Sequence, residues 1–225
     1  NTRALTKFVT NMPVEEMVNI WAEKTVPFTG DPFMFDYGDG PTGIYSEHKA
    51  KLVAWYRRFS VFWLDSVGGC EWRYPRVINT AKPDFRGFTP DLEERVLNAV
   101  TGNNKSYAEY MQVGGKILNL DRAIHVLQGR HRDNEKFAPF IFKPKDRDEE
   151  EASGMLFPFY QDGKWGRKAM RDRFLVEDRF EEWKTHYYKV EGWDTKSGWP
   201  TRSTLEGLGL GHVADVLQAR GKLGG

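Results

Sequence analysis

Val113, Ile117, Leu120, Ile124 and Leu127 recur at steps of four, three, four and three. An α-helix returns side chains to one face at that interval and a strand does not. The spacing therefore predicts a helix running to about Gly129, with these five residues facing the core. A second series, Leu52, Trp55, Phe59 and Phe62, predicts a helix over 46–68, with Ser46 as its candidate N-cap and Gly68-Gly69 as its terminator. Pro13 opens a third helix, "PVEEMVNIWAEKT", with two acids in its first turn. Thr89-Pro90-Asp91 leads into a fourth, "LEERVLNAVTG", that ends at Gly102. "DRFEEWKTHYYKVEGW", a short helix after Pro200 and a last one around Val213, Val216 and Leu217 complete the set. Strand alternation is nearly absent. The expected class is all-α and multihelical, with long irregular loops.

Three stretches break the pattern. Gly, Pro and Asp punctuate residues 26–45, and residues 71–88 are irregular. From 130 to 178 periodicity fades, with a solvated "DRDEEE" run and loop signals at Asp162-Gly163, so a surface excursion or extended arm is expected there. Arg57-Arg58 reads as an exposed helix face that could steer an acidic partner.

A chain of 225 residues can bury a sizeable core, and 8 Trp, 9 Tyr and 15 Phe supply large contact area for it. The formal net charge of +1 argues against a nucleic-acid partner. No window approaches the roughly 18 apolar residues of a membrane span, and no signal peptide is evident. A single cysteine rules out an internal disulfide framework and fits a reducing, cytoplasmic setting. The chain starts at Asn1 rather than Met, and is expected to be a piece of something longer.

That one thiol, Cys70, stands in "WLDSVGGCEW", just past a predicted helix end. Two glycines let backbone approach a ligand closely, since no Cβ intervenes. Asp65 lies in the last turn, where the helix dipole disfavours a carboxylate. Three readings are open: a buried structural cysteine, a metal or iron–sulfur ligand, or a catalytic thiol paired with one of His48, His125, His131, His186 and His212. A cluster takes about four thiolates. If Cys70 is a ligand, the others come from outside this chain.

"DSVGGC", Asp65 to Cys70, resembles the Asp-x-x-Gly-x-Cys motif of the aldehyde:ferredoxin oxidoreductase family, with Gly69 where the family often has Leu. "GGKILNLDRAIHVLQGRHRDNE" resembles that family's Asn-Leu-x-Arg helix and the charged turn after it. "THYYKVEGWDTKSGWPTRSTLEGLGL" resembles its C-terminal Tyr-Tyr…Gly-Trp…Pro-Thr…Leu-Gly-Leu block. The resemblance implies that residues 1–225 are the C-terminal helical domain of a larger enzyme. It implies tungsten, or molybdenum, between two pyranopterins, and a [4Fe–4S] cluster to which Cys70 gives the fourth thiolate. By the same resemblance Asp65 hydrogen-bonds a pterin, the backbone at Gly68 and Gly69 lies against it, and Arg3 lies near it. The implied partners are the N-terminal remainder of the enzyme, and ferredoxin or an electron-transfer subunit. The implied reaction oxidises aldehydes to carboxylates. A benzoyl-CoA reductase catalytic-subunit branch is an alternative, and a cofactor-free helical interaction domain is a rival of another class. The acid–base residues find no match here.

Overall fold

The computed structural model describes residues 12–70, 75–143, 156–169 and 174–225. Seven α-helices carry the fold: α1 Val14–Lys24, α2 Glu47–Phe59, α3 Leu92–Thr101, α4 Tyr107–Leu127, α5 Glu177–Glu191, α6 Arg202–Gly207 and α7 Gly211–Ala219. Two of the caps read from the sequence, Ser46 and Gly102, act as expected, Asp91 before α3 makes no side-chain capping bond, and further caps join them. Ser46 caps α2 through the Lys49 amide. Gly102 closes α3 in a left-handed conformation at φ 71°, and Gly192 closes α5 the same way at φ 70°. Ser106 and Glu109 form a reciprocal capping box at the start of α4.

The expectation of an all-α chain holds for the class and fails at one place. Within the 130–178 excursion, β1 Leu156–Gln161 and β2 Lys164–Ala169 pair antiparallel. Asp162 and Gly163, taken as loop, are the two turn residues, both with positive φ (51° and 77°). That is the turn whose twist matches paired strands. The hairpin is no free arm. The Tyr37 amide donates to the Pro158 carbonyl at 2.9 Å, the Tyr160 amide donates to Asp36 at 3.0 Å, and Phe33 stacks on Trp165. Residues 26–45, read as loop, hold a short 3-10 turn at Pro32–Phe35 that receives it.

The main core gathers side chains from α1, the 3-10 turn, α2 and the start of α4, among them Trp21, Phe35, Trp55, Phe59 and Tyr110. A second cluster joins α4 to α6 and α7 through Ala123, Val126, Leu205 and Leu217. Helix α4 crosses α2 at backbone distance: a Cβ on Gly114 would stand 2.3 Å from the Arg58 carbonyl oxygen.

The stripe that predicted α4 is not its core face. Val113, Ile117, Leu120, Ile124 and Leu127 are each 40–48% exposed. The buried face of α4 instead carries Met111, Gly114, Gly115, Leu118, Asn119, Arg122, Ala123 and Val126. That face mixes apolar side chains that enter the cores with Gly114, Gly115, Asn119 and Arg122, which sit where the helix meets backbone and a hydrogen-bond network. Periodicity identified the helix correctly and assigned its inner face wrongly.

Three substitutions separate these faces in thermal or denaturant unfolding. Leu118→Ala should cost roughly 2–5 kcal/mol, and Gly114→Ala about 1–3 kcal/mol through overpacking on Arg58. Leu120→Gln should cost less than about 1 kcal/mol. A larger loss for Leu120→Gln than for Leu118→Ala would reverse the assignment.

Candidate functional site

Helix α2 does not stop at its last regular residue. Its backbone continues through a π-helical turn, Ser60–Asp65. Phe62, Trp63 and Leu64 are all buried there. Three successive residues sweep about 200° of an ordinary α-helix, too wide for one buried face. A wider turn rotates less per residue and narrows the sweep. Such turns inside helices are often found at functional sites.

Beyond the turn the chain comes to the surface. Asp65, Ser66, Val67, Gly68 and Cys70 are exposed. Ser66 Oγ donates to the Val61 carbonyl at 2.5 Å, holding the exit. Gly68 takes φ 76° with open space where a Cβ would be. Gly69 is different: a Cβ there would meet Trp63 Nε1 at 2.9 Å. The second glycine is thus demanded by the indole behind it, and only the first leaves its backbone free toward solvent. This offers a physical reason for Gly69 at a position where Leu is common in the resembled motif.

The Cys70 thiol is free and exposed, which removes the buried structural reading. The Asp65 carboxylate has no hydrogen bond among the described residues. Three of the histidines weighed as partners have carboxylate or amide neighbours instead: His48 pairs with Asp31, His125 lies 3.6 Å from Asp121, and His131 Nδ1 accepts from the Asp133 amide at 3.3 Å. Among the described residues no three His, Cys, Asp or Glu side chains gather as a metal site. Arg3 lies outside the described residues.

The other two motif blocks meet each other. Trp193 Nε1 donates to Asn119 Oδ1 at 2.8 Å, and Asn119 Nδ2 donates to the Gly115 carbonyl at 2.9 Å. Arg122 donates to the Gly198 carbonyl through Nε at 2.9 Å and Nη2 at 2.6 Å, and its guanidinium lies 4.4 Å from the Trp193 ring centroid. Glu135 closes the network, accepting from Arg122, Arg130 and the Tyr188 hydroxyl. Burial opposes its ionisation, but the bonds from Arg122 and Tyr188 outweigh that and hold the carboxyl at about 2. Nothing in the spacing singled out Glu135. Its neighbours in "RHRDNE" read only as a charged turn, and tertiary contact is what selects one acid from that run.

Arg57 and Arg58, read as an open cationic face, are half-buried. Arg58 makes a two-point pair with the buried Glu191, at 2.7 and 3.3 Å, and Arg57 donates to the Tyr187 hydroxyl at 2.7 Å.

The unit is mostly helical, and the end of its buried helix brings an exposed carboxylate, Asp65, and an exposed thiol, Cys70, to the surface. Residues 9–210 match the family aldehyde ferredoxin oxidoreductase, domains 2 and 3. The chain belongs to that family, whose members are oxidoreductases using tungsten-pterin and a [4Fe–4S] cluster. No solved structure matches it. No helix of the described residues is long and apolar enough to cross a membrane.

Two measurements follow from this geometry. In the 225-residue chain, Cys70 should react with a water-soluble disulfide reagent without denaturant; a thiol released only on unfolding would contradict the exposed placement. Glu135 links to acid stability. Its carboxyl sits below its ordinary 4.5 when folded, so its contribution is present above that value and is lost as pH falls toward 2. A shift from 4.5 to about 2 corresponds to roughly 3 kcal/mol. Glu135→Gln should flatten the loss of stability between pH 4.5 and 2, seen by urea unfolding; an unchanged acid limb would remove Glu135 from that role.

Proposed function

We propose that residues 1–225 form the C-terminal cluster- and pterin-binding domain of a tungsten-dependent oxidoreductase that oxidises aldehydes to carboxylates. The reading rests on one observation: in a chain of this family, Asp65 and Cys70 stand together at the surface with no partner among the described residues. Cys70 gives a thiolate to a [4Fe–4S] cluster whose other cysteines belong to the N-terminal remainder of the enzyme. Asp65 accepts a hydrogen bond from a pterin N–H, the kind of donor an ionised carboxylate takes well. The open backbone at Gly68 allows the approach, while Gly69, pressed on Trp63, fixes where Cys70 leaves the helix. Arg3 is assigned to the pterin side. When bound, tungsten between two pyranopterins exchanges electron pairs with substrate, and the cluster passes single electrons to ferredoxin or an electron-transfer subunit. This chain's own residues hold and orient those groups and exclude water behind them with Phe62, Trp63 and Leu64.

Two substitutions in the full-length enzyme test the assignment. Cys70→Ala should remove the four-iron signal from the reduced enzyme's paramagnetic resonance spectrum, leaving no cluster or a three-iron form. Asp65→Asn should leave that signal intact and weaken pterin retention by about ten- to a hundredfold, the range of a charge-assisted hydrogen bond. A wild-type cluster signal in Cys70→Ala, with full iron content, would end the ligand assignment.

A further inference from the structure

A cleft of about 640 Å³ opens between the C-terminal end of α4, the segment 129–137 and α5. None of Asp65 to Cys70 lines it. Its size suits a small organic ligand, and two features of its lining are unusual together.

One wall is aromatic. Phe180, Trp183 and Tyr187 occupy one face of α5 at helical spacing. Phe180 stacks on Trp183 at 5.8 Å and 20°, and Trp183 on Tyr187 at 5.8 Å and 14°. Phe137 extends the wall, 4.9 Å from Phe180 and half exposed. The Phe180, Trp183 and Tyr187 planes lie roughly parallel, and all three line the cleft.

The other feature is charge. Arg57, Arg122, Arg130, Lys136 and Lys184 line the cleft against one carboxylate, Glu135. Glu135 is already taken by Arg122 and Arg130, and Lys184 pairs with Glu181 at 2.8 Å. Two cations remain without a direct carboxylate partner. Lys136 is exposed and has no ion pair among the described residues. Arg57 is half-buried, and its one hydrogen bond goes to the Tyr187 hydroxyl; burial holds that phenol neutral by pushing its pKa upward. A guanidinium beside the last ring of an aromatic ladder can still receive a planar anion.

We propose that this cleft binds a planar aromatic anion, its ring packed on the Phe180–Trp183 wall and its carboxylate or phosphate against Arg57 and Lys136. The shared chemistry is a flat ring bearing a negative group. An aryl carboxylate and an aromatic nucleotide both have it.

The experiment titrates the full-length protein by calorimetry with 2-naphthoate, with adenosine monophosphate and with the neutral 2-naphthalenemethanol. Saturable binding of naphthoate alone identifies an aryl carboxylate site; binding of the nucleotide identifies an aromatic phosphate site; either supports the proposal. The neutral analogue should bind at least about tenfold more weakly than the anion that binds. Lys136→Ala changes an exposed side chain and leaves the fold intact, and it should weaken the anion severalfold without affecting the neutral analogue. Trp183→Phe should keep the calorimetric affinity while losing the part of the tryptophan quench that belongs to this wall. Equal affinity for neutral and anionic rings, an anion affinity untouched by Lys136→Ala, or no saturation into the millimolar range would each overturn it. Binding is read without turnover, so the result stands apart from the roles assigned to Cys70 and Asp65.

Discussion

The backbone contact between α2 and α4 sets the rest of the structure. Gly114 has no room for a Cβ because the Arg58 carbonyl occupies that space. Two helices that meet this closely cannot slide or roll, since close-packed surfaces resist small displacements. The same residue, Arg58, runs its side chain past Gly115 of α4 to the buried Glu191 on α5. One position on α2 therefore registers two helices at once, α4 by its backbone and α5 by its guanidinium. The direction of α2 is fixed by these contacts, and with it the place where the π-turn delivers Asp65 and Cys70 to the surface.

Buried charge elsewhere plays the same registering part. Lys24 is fully buried. It reaches Glu93 and the Pro90 carbonyl, and lies 4.5 Å from the Tyr107 ring centroid. Burial lowers its pKa, against the pull of Glu93. A pair of this kind adds little net stability over apolar side chains, and removing one partner costs much more. Its effect is to tolerate one arrangement of α1 and α3 and penalise the others. Glu135 does this for α4 and α5. The polar residues inside the protein thus choose among packings that the aromatic core alone would leave nearly equivalent.

Much of this was legible in the residues. The helices announced themselves by period and by caps, and Asp65 to Cys70 by its glycines. What escaped notice has physical reasons. The hairpin carries Pro158 in one strand and Gly166 in the other, residues that argue against strands, while its Asp162-Gly163 turn is as consistent with a plain loop. The inner face of α4 was misread because apolar periodicity reports a face that wants cover, not which cover it has; glycines, Asn119 and Arg122 face inward because their partners are carbonyls and an indole N–H some 80 positions or fewer away in the chain. The π-turn leaves no local signature beyond three large residues in a row. The thiol's exposure depends on where α2 ends in space, which no window of sequence contains.

The long reach of Arg122 has a consequence for how the chain is made. Its acceptor, the Gly198 carbonyl, lies 76 residues downstream. Asn119 waits for Trp193 across 74. Most of the main core, by contrast, is drawn from residues 12–111. During vectorial synthesis the helix bearing Asp65 and Cys70 can pack one face on α1 and the start of α4 before α5 emerges, while its other face, Ala50 and Ala54, waits for Tyr187, Tyr188 and Trp193. The far end of α4 cannot satisfy its buried polar groups until the segment after α5 emerges. Until then the thiol-bearing helix is held on one face only and Arg122 lacks its Gly198 acceptor, so α5 and the segment after it complete both arrangements together.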